Sequence, residues 1–179
     1  MCPRLGFGLN WRAMRSVSVR VCLLFALAGC GAGLREGRFF KDGLRYRVMA
    51  PSEAEWKPIG FAENDLAWAS KSSAHLLAMN ATCKDHGDPS LEVLTGHLLI
   101  GFDDRVLVDR KAETLDGRAA LRSFYTVSID GVPAEVEVVV LKKNGCVHDF
   151  TYVAPKGDRP RQQAAFDALV AGFVQEASP

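Results

Sequence analysis

The sequence predicts an α+β domain: an antiparallel β-sheet, made of a four-stranded C-terminal meander plus N-terminal strands, with helices covering both faces. Three observations lead there. Between residues 105 and 153 the dipeptides Asp116-Gly117, Asp130-Gly131 and Asn144-Gly145 separate four β-rich segments. Such pairs favour type I′ hairpin turns, whose two central residues both need positive φ. Both faces of the resulting meander are apolar, and a sheet of that kind must be covered twice. Stretches with apolar residues at helical spacing lie before and after it, ready to serve as covers.

The domain is expected to begin near Leu44, where "LRYRVM" alternates Leu44, Tyr46 and Val48 with Arg45 and Arg47, the period of a half-buried strand. Pro51 ends it. Residues 65–71 and 74–82 are two further strands, joined at Lys71-Ser72-Ser73. Asp88 before Pro89 then has the form of a helix start, and Leu91, Val93, Leu94 and Leu98 supply an apolar stripe, so a helix is expected over 89–101.

Two-residue turns fix the register of the meander. Ile129 should face Val132, Lys143 should face Cys146, and Leu141 should face His148. One face then carries Leu121, Tyr125, Val136, Val138, Val140, Val147 and Val153; the other carries Phe124, Val139, Leu141, Phe150 and Tyr152. Phe166, Leu169, Val170 and Phe173 follow at i, i+3, i+4 and i+7, an amphipathic helix that should end near Gly172.

Ahead of the domain, residues 1–29 contain Arg4, Arg12, Arg15 and Arg20, no acid, and the apolar run Val21 to Ala28. A basic region followed by a short apolar run is the plan of a secretory signal, and this run is too short to span a bilayer. Met14 is an alternative start that keeps a compact basic region. The run ends in Leu27-Ala28-Gly29-Cys30, which resembles the lipobox of bacterial lipoproteins. That resemblance implies cleavage before Cys30, diacylglycerol on its thiol and acylation of its amine. It also implies a cell-envelope location, with the chain anchored by lipid to a membrane, most naturally the outer membrane facing the periplasm. Several acyl chains on one residue anchor firmly where one is marginal, at about 0.8 kcal/mol per buried CH2. Residues 30–43 would then be the lipidated end and a tether, and 44–176 a single domain.

Processing changes the charge and the cysteine count. The chain has 22 Lys and Arg against 21 Asp and Glu; removing the four arginines of residues 1–29 leaves 18 bases and a net charge of about −3. No clustered basic excess remains, so nucleic acid is not an expected partner. Of 5 cysteines, Cys2 and Cys22 leave with the signal and Cys30 takes lipid. Cys83 and Cys146 remain as a pair in an oxidising compartment, and a disulfide between them is the first reading. Cys83, His86, Cys146 and His148 can also be drawn as a tetrahedral zinc site, and free thiols are a third possibility.

The order of strands, helix, meander and terminal helix resembles the PsbP-like fold. "YRVMAPSEAEW" is similar to that family's opening strand, proline and tryptophan, and "CVHDFTYVAP" followed by a helix is similar to its closing strand and helix. The resemblance spans residues 44–175 and carries no catalytic residue, and it implies an assembly, scaffold or small binding module.

Chemistry-bearing motifs are scarce. There is no Gly-x-Ser-x-Gly turn, and His75, His86, His97 and His148 share no spacing with a nucleophile and a carboxylate. Asp85, Asp88, Asp103 and Asp104 lack the twelve-residue loop of a calcium site. The expectation is a membrane-anchored, non-catalytic binding or assembly module without a cofactor, whose partners are the bilayer through acylated Cys30 and an unidentified envelope protein. A small envelope enzyme with a site built from scattered polar residues, or a metal-binding lipoprotein, is the alternative. A concave pocket with convergent polar groups and perturbed titrations is the feature that marks a ligand site.

Overall fold

A computed structural model describes residues 33–41, 43–60, 64–84 and 87–176. Residues 1–29 and Cys30 lie outside the described residues, and so does His86.

The meander forms as its turns dictate. Strands β7 (Asp103–Leu115), β8 (Arg118–Ile129), β9 (Val132–Lys143) and β10 (Cys146–Pro155) are joined by the three Asx-Gly turns. Both residues of each turn have positive φ, for example 48° at Asp116 and 74° at Gly117, the geometry that makes the twist of a tight turn match that of its strands. The registers Ile129 with Val132, Lys143 with Cys146 and Leu141 with His148 are all present. Strands β4 (Trp56–Pro58), β5 (Leu66–Ser70) and β6 (Leu76–Thr82) extend the sheet beyond β10 to give the order β4-β5-β6-β10-β9-β8-β7, every pairing antiparallel.

A second sheet of four strands departs from the expected plan. Residues 33–41, expected within a tether, form β1 (Gly33–Arg35) and β2 (Arg38–Lys41). These pair in the order β1-β2-β3-β11 with β3 (Leu44–Arg47) and with β11 (Val174–Gln175), which follows the last helix. The "LRYRVM" strand therefore belongs to the smaller sheet. Its buried Tyr46 stacks on Phe39 at 4.8 Å between ring centroids.

Helix α1 (Leu91–Leu98) is shorter than expected because its cap is Ser90, whose Oγ accepts the Val93 N–H at 3.3 Å; Asp88 and Pro89 stay outside. It packs against β8 and β9. Helix α2 (Gln163–Ala171) ends at Gly172, and Phe166, Leu169, Val170 and Phe173 are all buried. They meet Val139, Leu141, Phe150 and Tyr152 in the main core, together with Phe39, Leu44 and Tyr46 from the smaller sheet. That face is thus closed by a helix and a sheet jointly. Each fully buried large apolar side chain here contributes about 2–3 kcal/mol.

A cluster of charges is buried beside this core. Glu137 on β9 is nearly inaccessible and lies 2.6 Å from Arg122 Nη1, with Arg159 Nη1 on its other oxygen. Arg159 also stacks over the Phe124 ring. Burial works against the Arg122 charge, but hydrogen bonds to Glu137 and Glu113 prevail and raise its pKa.

Candidate functional site

A cavity of about 170 Å³ lies where α1 crosses the end of the sheet. Sequence periodicity explains its walls. Asp149 pairs with Val140 on β9 and with Asn80 on β6, and Val147 pairs with Thr82, so these side chains share one face of the sheet. From above, α1 contributes Leu94, His97 and Leu98, which fall on one side of the helix at i, i+3 and i+4. The body of the cavity is apolar: Leu94, Leu98, Val140 and Val147. Asn80, Thr82, His97 and Asp149 supply its polar groups.

Asp149 is the unusual member. It is only 7% exposed and has no hydrogen-bond or ion-pair partner among the described residues. Burial, and after it the negative charge of Asp65, pushes its carboxyl up to about 7. Asp65 by contrast is well held. It accepts Lys41 Nζ at 2.6 Å, the Ala81 N–H at 3.0 Å and the Tyr46 hydroxyl at 3.5 Å. Burial of the phenol, reinforced by Asp65, raises the Tyr46 pKa far above its ordinary value. The cavity therefore presents one carboxyl group whose bonding capacity is unmet, poised near neutrality between acid and carboxylate.

The expected site residues are placed as follows. Cys30 lies outside the described residues. Cys83 Sγ and Cys146 Sγ stand 2.07 Å apart with their Cα atoms 4.0 Å apart, which is disulfide distance. His148 is buried on the α2 side, where its Nε2 faces Gln175 Oε1 at 3.2 Å and its ring packs 4.8 Å from that of Phe173. Burial lowers its pKa to about 4 despite the bond to Gln175. Among the described residues no group of three or more His, Cys, Asp or Glu is arranged to hold a metal ion. His75 is buried between Ser73 Oγ at 2.7 Å and the Asp158 carbonyl at 3.1 Å, and stacks on Tyr152. His97 alone of the described histidines reaches the cavity, from an exposed position on α1.

Sequence reasoning did not single out Asp149. A signal was present: Asp149 has the strand parity of Val147 and opposes Val140, so an acid sits on a face rich in valines.

Among solved structures, the chain is similar to the cyanobacterial PsbP protein of Synechocystis at 13% identity and a TM-score of 0.55, over 84% of this chain and 99% of that one. LpqN, a Mycobacterium tuberculosis protein involved in cell envelope biogenesis, is similar at 13% identity and a TM-score of 0.54, over 74% and 84% of the two chains. The Pseudomonas aeruginosa protein PA94, of unknown function, matches at 13% identity and a TM-score of 0.53, over 78% and 96%. At this identity the likenesses show the fold, which is PsbP-like. The sequence itself matches no family model and no curated protein.

Proposed function

We propose that this chain is a lipid-anchored protein of the bacterial cell envelope that acts without catalysis, binding a small ligand in the cavity beneath α1. The observation that carries the binding reading is Asp149, a buried and unpartnered carboxyl group in the wall of a cavity. Its oxygens open onto the cavity, and a ligand that closes over them has to supply their partner, because a buried polar group left without one costs about 1–3 kcal/mol. The lining also favours binding over chemistry. Its one hydroxyl nucleophile, Thr82, has Asn80 Nδ2 as a neighbour at 3.5 Å, and an amide is no general base. The envelope assignment rests on the Leu27-Ala28-Gly29-Cys30 sequence, and the likeness to LpqN is in keeping with it.

Three measurements test this. Clickable fatty acid should label the expressed protein and fail to label Cys30→Ser, which should move to the soluble fraction. In a thermal-denaturation screen of small organic molecules, compounds that stabilise the wild-type chain should lose their effect on Leu94→Trp, whose indole fills the cavity. Turnover of an esterase, phosphatase, peptidase or glycosidase substrate that disappears in His97→Ala would overturn the non-catalytic reading.

A further inference from the structure

The ligand class follows from what lines the cavity, and this inference rests on the binding reading above. We propose that the cavity takes a small organic cation: an ammonium group on Asp149, carried by an apolar body of about benzene size against Leu94, Leu98, Val140 and Val147.

Size comes first. A volume of about 170 Å³ is close to that of an apolar protein cavity of roughly 150 Å³ that accommodates benzene. Four aliphatic side chains form the walls, so the body of the ligand gains by leaving water.

Charge then selects the head group. Asp149 is the acidic residue of the lining, and no lysine or arginine is among the lining residues. Lys142, on β9 two residues beyond Val140, is paired with Asp88. Asp65, the further carboxylate that acts on Asp149, is itself held by Lys41 and the Ala81 N–H, so Asp149 is the acid left to meet a ligand, and an anion placed against it would be repelled. An ammonium supplies both the positive charge and the hydrogen-bond donors that the carboxyl group lacks, and Asn80 and Thr82 offer further acceptors beside it.

The apolar majority of the lining argues against a hard metal ion. Calcium requires six to eight oxygen ligands and magnesium an octahedron of them, whereas the oxygen donors here are one carboxylate, one amide and one hydroxyl, beside the His97 imidazole and aliphatic carbons. An organic ammonium matches both halves of the cavity.

Benzylamine, benzyl alcohol and benzoate share nearly one shape and differ in charge, so they serve as probes. Each is titrated calorimetrically into the detergent-solubilised full chain and into its Asp149→Asn and Leu94→Trp variants, with thermal melts checking that both variants fold. Benzylamine is expected to bind at least tenfold tighter than benzyl alcohol, and benzoate to show no saturable binding. Asp149→Asn should erase the preference for the amine, and Leu94→Trp should block amine and alcohol alike. Equal affinities for amine and alcohol, both lost in Leu94→Trp, would overturn the cation class while leaving the cavity as a binding site. Amine affinity unchanged in Asp149→Asn would also overturn it. An absence of saturable binding by any of the three probes would overturn the class and the binding reading together.

Discussion

His148 and Asp149 are consecutive on β10, and the pleat sends them to opposite faces of the sheet. His148 enters the aromatic core beside Phe173 and Tyr46, while Asp149 enters the cavity beneath α1. Both are buried, and burial disfavours charge on each, but the neutral form binds a proton in one case and lacks it in the other. Their affinities for protons therefore shift in opposite directions: Asp149 rises to about 7 and His148 falls to about 4.

The Glu137 cluster yields a first stability prediction. Its carboxylate is shared by Arg122 and Arg159, and Arg122 also reaches Glu113 and Asp167. Removing the central anion leaves two guanidinium groups partly buried without their main counter-charge. Glu137→Ala should destabilise by about 3 kcal/mol in urea unfolding, whereas Asp167→Ala, which removes an exposed partner, should change stability by less than about 1 kcal/mol.

Gly172 is required for close approach. A Cβ there would fall 2.6 Å from Met49 Cβ and 2.7 Å from the Met49 backbone nitrogen, so a flexible side-chain tip cannot simply swing aside. Gly172→Ala should destabilise by about 1–3 kcal/mol, read as a lowered Tm. Ala171→Gly, one residue earlier in the helix, serves as the comparison and should cost no more than about 1 kcal/mol.

The parts of this fold that were legible in the sequence are those where one local rule leaves a single answer. The Asx-Gly pairs admit type I′ turns, and a period of two then fixes partners such as Leu141 and His148 without further information. In the same way Phe166, Leu169 and Val170 share the one helical face that can be buried, and Phe173, just past the helix end at Gly172, is buried with them. Strands β1, β2 and β11 escaped because they are short and show no alternation, Phe39 and Phe40 being adjacent in β2, and β11 is held by long-range pairing such as Gln175 with Tyr46. At the start of α1, Asp88 and Ser90 are both good cap residues, and only the helix phase set by packing decides for Ser90. The cavity was illegible for a related reason. Strand parity places Asp149 on the valine-rich face, but its burial depends on where α1 crosses the sheet, and the charge of Asp65 reaches it from a residue 84 positions earlier in the chain.

The Cys83 and Cys146 pair lends itself to a direct test. The two are 63 residues apart in sequence with sulfurs at bonding distance. Loop-closure entropy gives a bridge of that span about 4 kcal/mol. Intact-mass measurement of the non-reduced protein should show the loss of two hydrogens, and Cys83→Ser should lower unfolding stability by about that amount. Full alkylation without reductant, with stoichiometric zinc, would instead favour thiolate ligation of a metal.

The opposed shifts of Asp149 and His148 make the last expectation. Asp149 ordinarily titrates at 3.8 and does so at about 7 when folded, so the folded state holds a proton that the unfolded state releases. Its contribution is present in full below about pH 4 and is lost as pH rises to about 7, amounting to roughly 4 kcal/mol at most. His148 ordinarily titrates at 6.5 and falls to about 4, so its contribution is present above pH 6.5 and is lost as pH drops toward 4, roughly 3 kcal/mol at most. Between about pH 4 and 6.5 the two slopes oppose each other and nearly cancel in the wild type. Each single variant uncovers the other slope. Asp149→Asn should lose stability relative to the wild type as pH is lowered from 6.5 to 4, and His148→Asn should gain it over the same interval. Groups that do not face either residue titrate alike in all three proteins, so differences between urea-unfolding free energies at pH 4.5, 5.5, 6.5 and 7.5 report the pair together with the charges that face it, Asp65 for Asp149 and Asp116 and Lys143 for His148. Curves for both variants that run parallel to the wild type would show that neither group titrates as its burial requires.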